Sequence, residues 1–255
     1  MENKKKFWHI MLIIFVAFFL VSVLFLAYIF GGQLFLKNKL DEHKNNSSQV
    51  ASTEVLVENP IDFKPLQETN SEIYAWVRVP NTNIDYPIAQ SATDDSFYLH
   101  HDIYGKWVYA GTIYTEMQNR KDFSDPHTVV YGHNMSKGYM FQNLNFFQKE
   151  DFFNKTREFY IYTPGHILTY TIFAAYQYDD RHILNSFDFT DEQVFADYLE
   201  SAKNPTFMIR NVRKEVEVTT KDKIVTLSTC YGNGKKYRYL VQGVLTNDQK
   251  TYWWL

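Results

Sequence analysis

The chain has 255 residues and a formal net charge of -3. That length accommodates a membrane anchor and one globular domain with a full core, and the slight acidity leaves no electrostatic footprint for nucleic acid. With 1 cysteine an internal disulfide is excluded, so the core alone must hold the domain, and 21 Phe with 19 Tyr favour strands.

The first predicted element is the apolar run Phe7 to Phe30, which contains no Asp, Glu, Lys or Arg. At a rise of about 1.5 Å per residue it is long enough to cross a hydrocarbon layer of roughly 30 Å. Trp8 and Tyr28 lie near its ends, where amphipathic rings sit at the water boundary. A cleaved signal peptide has a shorter apolar stretch, about 7–15 residues, and ends in a small-residue site. Gly31-Gly32 matches such a site poorly, so the run is read as a single-pass, uncleaved anchor. Lys4, Lys5 and Lys6 precede it and place the N-terminus in the cytoplasm, although Lys37, Lys39 and Lys44 follow on the other side. Nearly the whole chain lies after the anchor, and that part is expected outside the cell. The predicted organisation is a tail over 1–6, an anchor over 7–30, a polar stalk over 31–59 and a globular domain over 60–255.

From Tyr74 onward, short β-like runs alternate with turn signals. They are Ala75–Val79, Ile84–Gln90, Gly111–Thr115, Thr128–Tyr131, Phe159–Tyr162, Ile167–Tyr178, Glu215–Thr219, Ile224–Thr229 and Tyr237–Leu245. So many short strands in one domain predict a mainly β fold closed into a barrel. Two helices interrupt them. One is read over Met140–Asn154, with Phe141, Leu144 and Phe147 on one face. The other opens at Thr190, where Thr190-Asp191-Glu192-Gln193 fits a capping box, and stops before Pro205.

Cys230 ends the run Ile224-Val-Thr-Leu-Ser-Thr-Cys and is followed by Gly232-Asn233-Gly234. Alternation sets Cys230, Ser228 and Thr226 on one face. A lone cysteine is most often a small buried apolar residue, but a strand end beside a glycine-rich loop is reachable from solvent. The Asn-Gly pair reverses the chain, so Arg238 at the start of the next strand should return beside Cys230. There a guanidinium favours a thiolate and donates to an oxyanion; the competing reading is a surface arginine on an edge strand. His133 follows the run Thr128–Tyr131 and Gly132, again just past a strand end. Its ordinary pKa of about 6.5 suits proton transfer near neutral pH. His100, His101, His127, His166 and His182 are read as lying in loops or strand edges without a comparable setting. No HxxxH, paired cysteine or dense acid–histidine cluster predicts a metal, and no glycine-rich loop predicts a phosphate cofactor.

Thr226-Leu-Ser-Thr-Cys230, Arg238 and Tyr131-Gly-His-Asn-Met135 together resemble the sortases, and the Ser inside the cysteine motif resembles class B. Tyr74–Pro80, Gly111–Tyr114, Gly138–Leu144 and the helix after Thr190 extend the resemblance over roughly Pro60 to Leu245. The resemblance implies an eight-stranded sortase-type β-barrel with peripheral helices, behind one transmembrane helix, on the outer face of a Gram-positive membrane. It implies cleavage of a C-terminal, NPxTx-like sorting signal after Thr, a thioester, and transfer to an amine. The partners so implied are a sorting-signal-bearing surface protein or pilin and an amine acceptor such as a cell-wall precursor; no cofactor and no nucleic acid are implied. Cys230 would be the nucleophile, His133 the general acid/base and Arg238 the oxyanion and substrate binder. Ser228, Thr229, Leu99, Asp95 and Ile183 would contact the sorting signal. Asp95 stands where the family has Asn, and the stretch from Cys230 to Arg238 is short for the class. Two rival readings are a cysteine endopeptidase that releases its product to water and a surface-binding domain without activity.

Overall fold

The computed structural model describes residues 56–232 and 236–252. The predicted anchor, tail and most of the stalk lie outside the described residues, as does the Asn233-Gly234 turn. Among the described residues no helix is long and apolar enough to cross a membrane.

Nine strands form one sheet: β1 Ile73–Arg78, β2 Asp85–Ala89, β3 Ile113–Tyr114, β4 His127–Tyr131, β5 Glu158–Thr163, β6 His166–Asp179, β7 Arg210–Val212, β8 Ile224–Cys230 and β9 Tyr237–Lys250. Their order is β5-β1-β2-β3-β4-β8-β9-β6-β7, and β5 also pairs with β6. That second pairing closes eight strands into a barrel, so no long edge is left to pair with another chain. β7 is a short ninth strand on β6. β4 and β8 run parallel, which requires a long crossover between them.

Side-chain alternation sorts the strands into an inner and an outer face. Val130, Val225, Leu227 and Val241 point inward with Phe159, Tyr170 and Ile172. Val129, Ile224, Leu240 and Val244 point outward, into a second apolar cluster. Among the described residues four α-helices accompany the barrel: α1 Phe63–Thr69, α2 Glu150–Lys155, α3 Ile183–Ser186 and α4 Glu192–Lys203. Phe195, Tyr198, Leu199 and Ala202 of α4 cover the outer cluster, which fits their spacing of three and four.

Three local expectations are corrected. Glu215–Thr219 is not a strand: β7 takes the free edge of β6 at Ala174–Tyr176, and a turn from Arg213 to Val216 carries the chain away. Val218 still buries its side chain, and its carbonyl accepts from Lys203 Nζ at 2.7 Å. The helix read over Met140–Asn154 is two pieces, a 3-10 helix over Gln142–Gln148 and α2, broken at extended Lys149. Phe141, Leu144 and Phe147 recur at intervals of three, which is the period of the tighter helix. The cap of α4 is Asp191, whose carboxylate accepts from the N–H groups of Gln193 and Val194; Thr190 donates instead to Asp188. One carboxylate that satisfies two orphan donors displaces a hydroxyl that satisfies one.

Candidate active site

Register assembles the site. Along the parallel pair β4–β8, Val129 faces Thr226 and Tyr131 faces Ser228. The pairing runs on past β4, since Gly132 N–H donates to the Ser228 carbonyl at 3.1 Å. Two further residues along both strands bring His133 level with Cys230. On the other side of β8, Cys230 faces Arg238 of β9. The neighbouring pair Tyr231 and Tyr237 shares a backbone bond at 3.0 Å, so Cys230 and Arg238 form the intervening, non-hydrogen-bonded pair. At such a pair the side chains share a face and stand closest. An imidazole, a thiol and a guanidinium therefore stand in one row across three strands. Arg238 lies on an interior strand of the sheet, not on an edge.

Three side-chain bonds hold the row. Asn134 Nδ2 donates to the Cys230 carbonyl at 2.8 Å, Asn145 donates to Asn134 Oδ1, and Thr229 Oγ1 donates to the Gly132 carbonyl at 2.8 Å. Gly132 is required by space: a Cβ there would meet Ile113 Cδ1 at 2.4 Å and the Phe141 ring at 2.7 Å. Glycine lets the chain pass this crowded point and deliver His133 to the rim.

The half-buried His133 bonds the Leu99 carbonyl through Nε2 at 2.9 Å. A carbonyl can only accept, so Nε2 carries the proton and Nδ1 is the nitrogen left to exchange one. Burial lowers the pKa of His133; the Leu99 carbonyl opposes this and His100 adds to it. The ring is thus neutral at neutral pH, as a base must be. Leu99 is held close by Gly111, whose φ of 59° and missing Cβ admit the Tyr98 and Leu99 carbonyls.

Cys230, His133 and Arg238 line one cleft of about 210 Å³, together with Leu99, Tyr114, Glu116, Tyr131, His182, Ile183, Ser228 and Thr229. Of the residues read as substrate contacts, Leu99, Ile183, Ser228 and Thr229 reach the cleft. Thr229 does so with its hydroxyl committed to Gly132. Asp95 does not line it; its carboxylate accepts from the Met117 N–H at 2.6 Å. A larger apolar cleft of about 470 Å³ beside α1 has neither cysteine nor histidine in its wall.

Sequence reasoning passed over part of the cleft. His182, read as having no special setting, caps α3 and accepts from Asn185 N–H through Nδ1. Its Nε2 therefore carries the proton and donates to Glu116 Oε1 at 2.8 Å. Burial pushes the Glu116 carboxyl above its ordinary range, against the pull of His182. Burial likewise pushes the Tyr114 phenol pKa up; Glu116 and Cys230 add to this and Arg238 opposes it. His100 stacks on His133 with ring centres 5.4 Å apart. His127 lies within β4, fully buried, rather than in a loop. Glu116 and His182 are far apart in sequence and belong to no motif. Asn134 sits directly after His133, and that adjacency was its available signal. Among the described residues no group of three or more His, Cys, Asp or Glu side chains is placed to hold a metal.

Comparison with known proteins follows the same outline. The family model described as a sortase domain matches residues 77–246. Sortase B of Listeria monocytogenes is 34% identical over 203 residues, covering 78% of this chain and 80% of the relative. Sortase B of Staphylococcus aureus is 27% identical over 168 residues, covering 66% and 67%. The X-ray structure of Clostridium perfringens sortase B superposes with a TM-score of 0.66 at 29% identity, covering 73% of this chain and 100% of that one.

Proposed function

The chain belongs to the sortase family, as a class B cysteine transpeptidase, and from that premise we propose that Cys230 is its nucleophile, His133 its general acid/base and Arg238 its oxyanion donor. The observation that carries this reading is the row itself: His133, Cys230 and Arg238 at one level of β4, β8 and β9, facing one cleft.

The chemistry follows from the row. The Cys230 thiol gives its proton to His133 Nδ1, and the thiolate attacks the carbonyl of the scissile peptide. Arg238, a fork of fixed donors, meets the charge that develops on the carbonyl oxygen. His133 returns the proton to the leaving amine, and the acyl group stays on sulfur as a thioester. An incoming amine reverses these steps and takes the acyl group. Leu99, Ile183 and Ser228 are the wall on which a sorting signal of the NPxTx type lies, and it is cleaved after Thr. The acyl acceptor is an amine of a cell-wall precursor or pilin. The apolar run over residues 7–30 supports a single-pass anchor, cytoplasmic N-terminus and extracellular domain.

The test is mass spectrometry of products from NPxTx-like and LPxTG-like peptides, with and without amine. The expected result is an acyl adduct on Cys230 and, with amine, a ligated product; Cys230→Ala gives neither. An adduct trapped on Cys230→Ala, or hydrolysis alone at every amine concentration, would sink the assignment.

A further inference from the structure

The segment 100–111 builds a tight turn beside His133. Asp102 organises it, accepting from the backbone N–H groups of Tyr104 and Lys106 at 2.9 Å each. Val108 N–H donates to the His100 carbonyl at 2.8 Å, and His101 faces Trp107 across an isolated bridge. This well-bonded frame nevertheless turns its largest side chains to solvent. Tyr104 is 69% exposed, Trp107 67% and Tyr109 62%. Burying a large apolar side chain is favourable, so leaving one in solvent forgoes stability. Three large rings within six residues of chain, held out of the core by an ordered frame, therefore mark a contact surface rather than scattered exposure.

The surface is continuous with the cleft. Trp107 stacks on His100 with centres 6.2 Å apart, His100 on His133 at 5.4 Å, and Tyr109 on His133 at 5.4 Å. Interplanar angles of 29°, 29° and 21° make this a stepped stack leading from solvent to the proton-transfer ring.

Position selects which substrate meets it. A general acid must stand beside the nitrogen that leaves, and for the reverse step beside the nitrogen that enters. A surface on the His133 side therefore borders the path of the amine. Composition selects the chemistry. Rigid, uncharged faces with a phenol or indole N–H at the edge offer large contact area at low entropy cost. Their complement is a ligand with an apolar ring face and a hydroxylated rim. We propose that Tyr104, Trp107 and Tyr109 are the docking platform for a saccharide portion of the amine-bearing acyl acceptor. The proposal rests on the roles given above to His133 and Cys230.

The step it serves balances without a further reactant. The amine nitrogen attacks the Cys230 thioester, a C–N bond forms, the C–S bond breaks with the electron pair leaving on sulfur, and the amine proton passes to His133. The platform touches none of these atoms except through the His133 ring. It acts by holding the amine near the thioester, which raises effective concentration.

The experiment uses the full chain in detergent, loaded as its thioester with a sorting peptide. Two acceptors are compared: a stem-peptide amine, and the same amine carrying an N-acetylated disaccharide. The wild type should use the glycosylated acceptor at about tenfold lower concentration, and Trp107→Ala and Tyr104→Ala should erase that preference. Trp107→Phe, which keeps a flat face, should retain most of it. Equal use of both acceptors by the wild type overturns the proposal. So does an equal loss for both acceptors in Trp107→Ala, which would point to a peptide contact or a structural role. If no thioester forms on Cys230, the underlying assignment fails and the proposal falls with it.

Discussion

The same outer face of β4, β8 and β9 carries two polar groupings that differ in what covers them. At the rim stand His133, Cys230 and Arg238. Deeper along the same strands stand His127, Thr226 and Gln242. There His127 Nε2 bonds Thr226 Oγ1 at 2.7 Å, Gln242 donates to Thr226 Oγ1 at 2.9 Å, and Gln242 donates to Tyr198 of α4 at 2.6 Å. Helix α4 seals the deep group, and burial drives the pKa of His127 down to about 3. Beyond the reach of α4, His133 is half-buried, and its pKa is lowered without being driven to such an extreme. Two histidines, one opening β4 and one two residues past its end, thus sit in opposite settings. Access to the cleft, rather than residue type, makes the difference: the deep ring is sealed in with its Nδ1 unpartnered, and the rim ring lines the cleft.

This contrast can be broken at either level. The largest effect is expected at the rim. Arg238→Lys should lower kcat/KM by about 10²–10³-fold, because a point-like ammonium cannot reproduce a donor fork. Near-normal turnover would remove Arg238 from the transition state. The deep group should instead show itself in acid. Above pH 6.5 the ring is neutral whether folded or unfolded. Between 6.5 and about 3 only the unfolded chain takes the proton, so stability falls as pH falls. At pH 4 the loss is on the order of 3 kcal/mol. Urea unfolding at pH 7 and pH 4 measures it, and His127→Gln should flatten that difference. An unchanged slope in the variant would mean the ring is not held neutral by burial. The smallest effect is expected from Thr229→Val, which removes the bond to the Gly132 carbonyl. About 1 kcal/mol of stability should go with it, read as a shift in urea midpoint; no shift would mean water replaces the hydroxyl.

The legible parts of this molecule are those written in short range. Two-residue alternation in Ile224–Cys230 and Tyr237–Lys250 assigns their faces directly, and the cysteine motif places a thiol at a strand end. The illegible parts depend on distant competition. Glu215–Thr219 alternates like a strand, yet Arg210–Val212 already holds the edge it would need. The Glu116–His182 pair joins a loop after β3 to the cap of α3, and neither residue signals the other locally. Phe141, Leu144 and Phe147 recur every three residues, but three positions so spaced fit a helix of ordinary pitch as well as the tighter one.

The parallel pairing of β4 with β8 also sets when the enzyme becomes one. Thr229 and Cys230 are tied to the His133 segment across 97 and 96 residues of chain. Contacts of such long range close late, after their loop entropy has been met. A nascent or clipped chain that stops before β8 carries the histidine and its Leu99 contact but not the strand that brings the thiol level with it. Conversely, the Cys230 thiol, which emerges long after His133, is brought level with it only when the barrel shuts. Acyl transfer is thereby withheld from partly folded chains, and the onset of thioester formation with a sorting peptide during refolding should coincide with barrel closure.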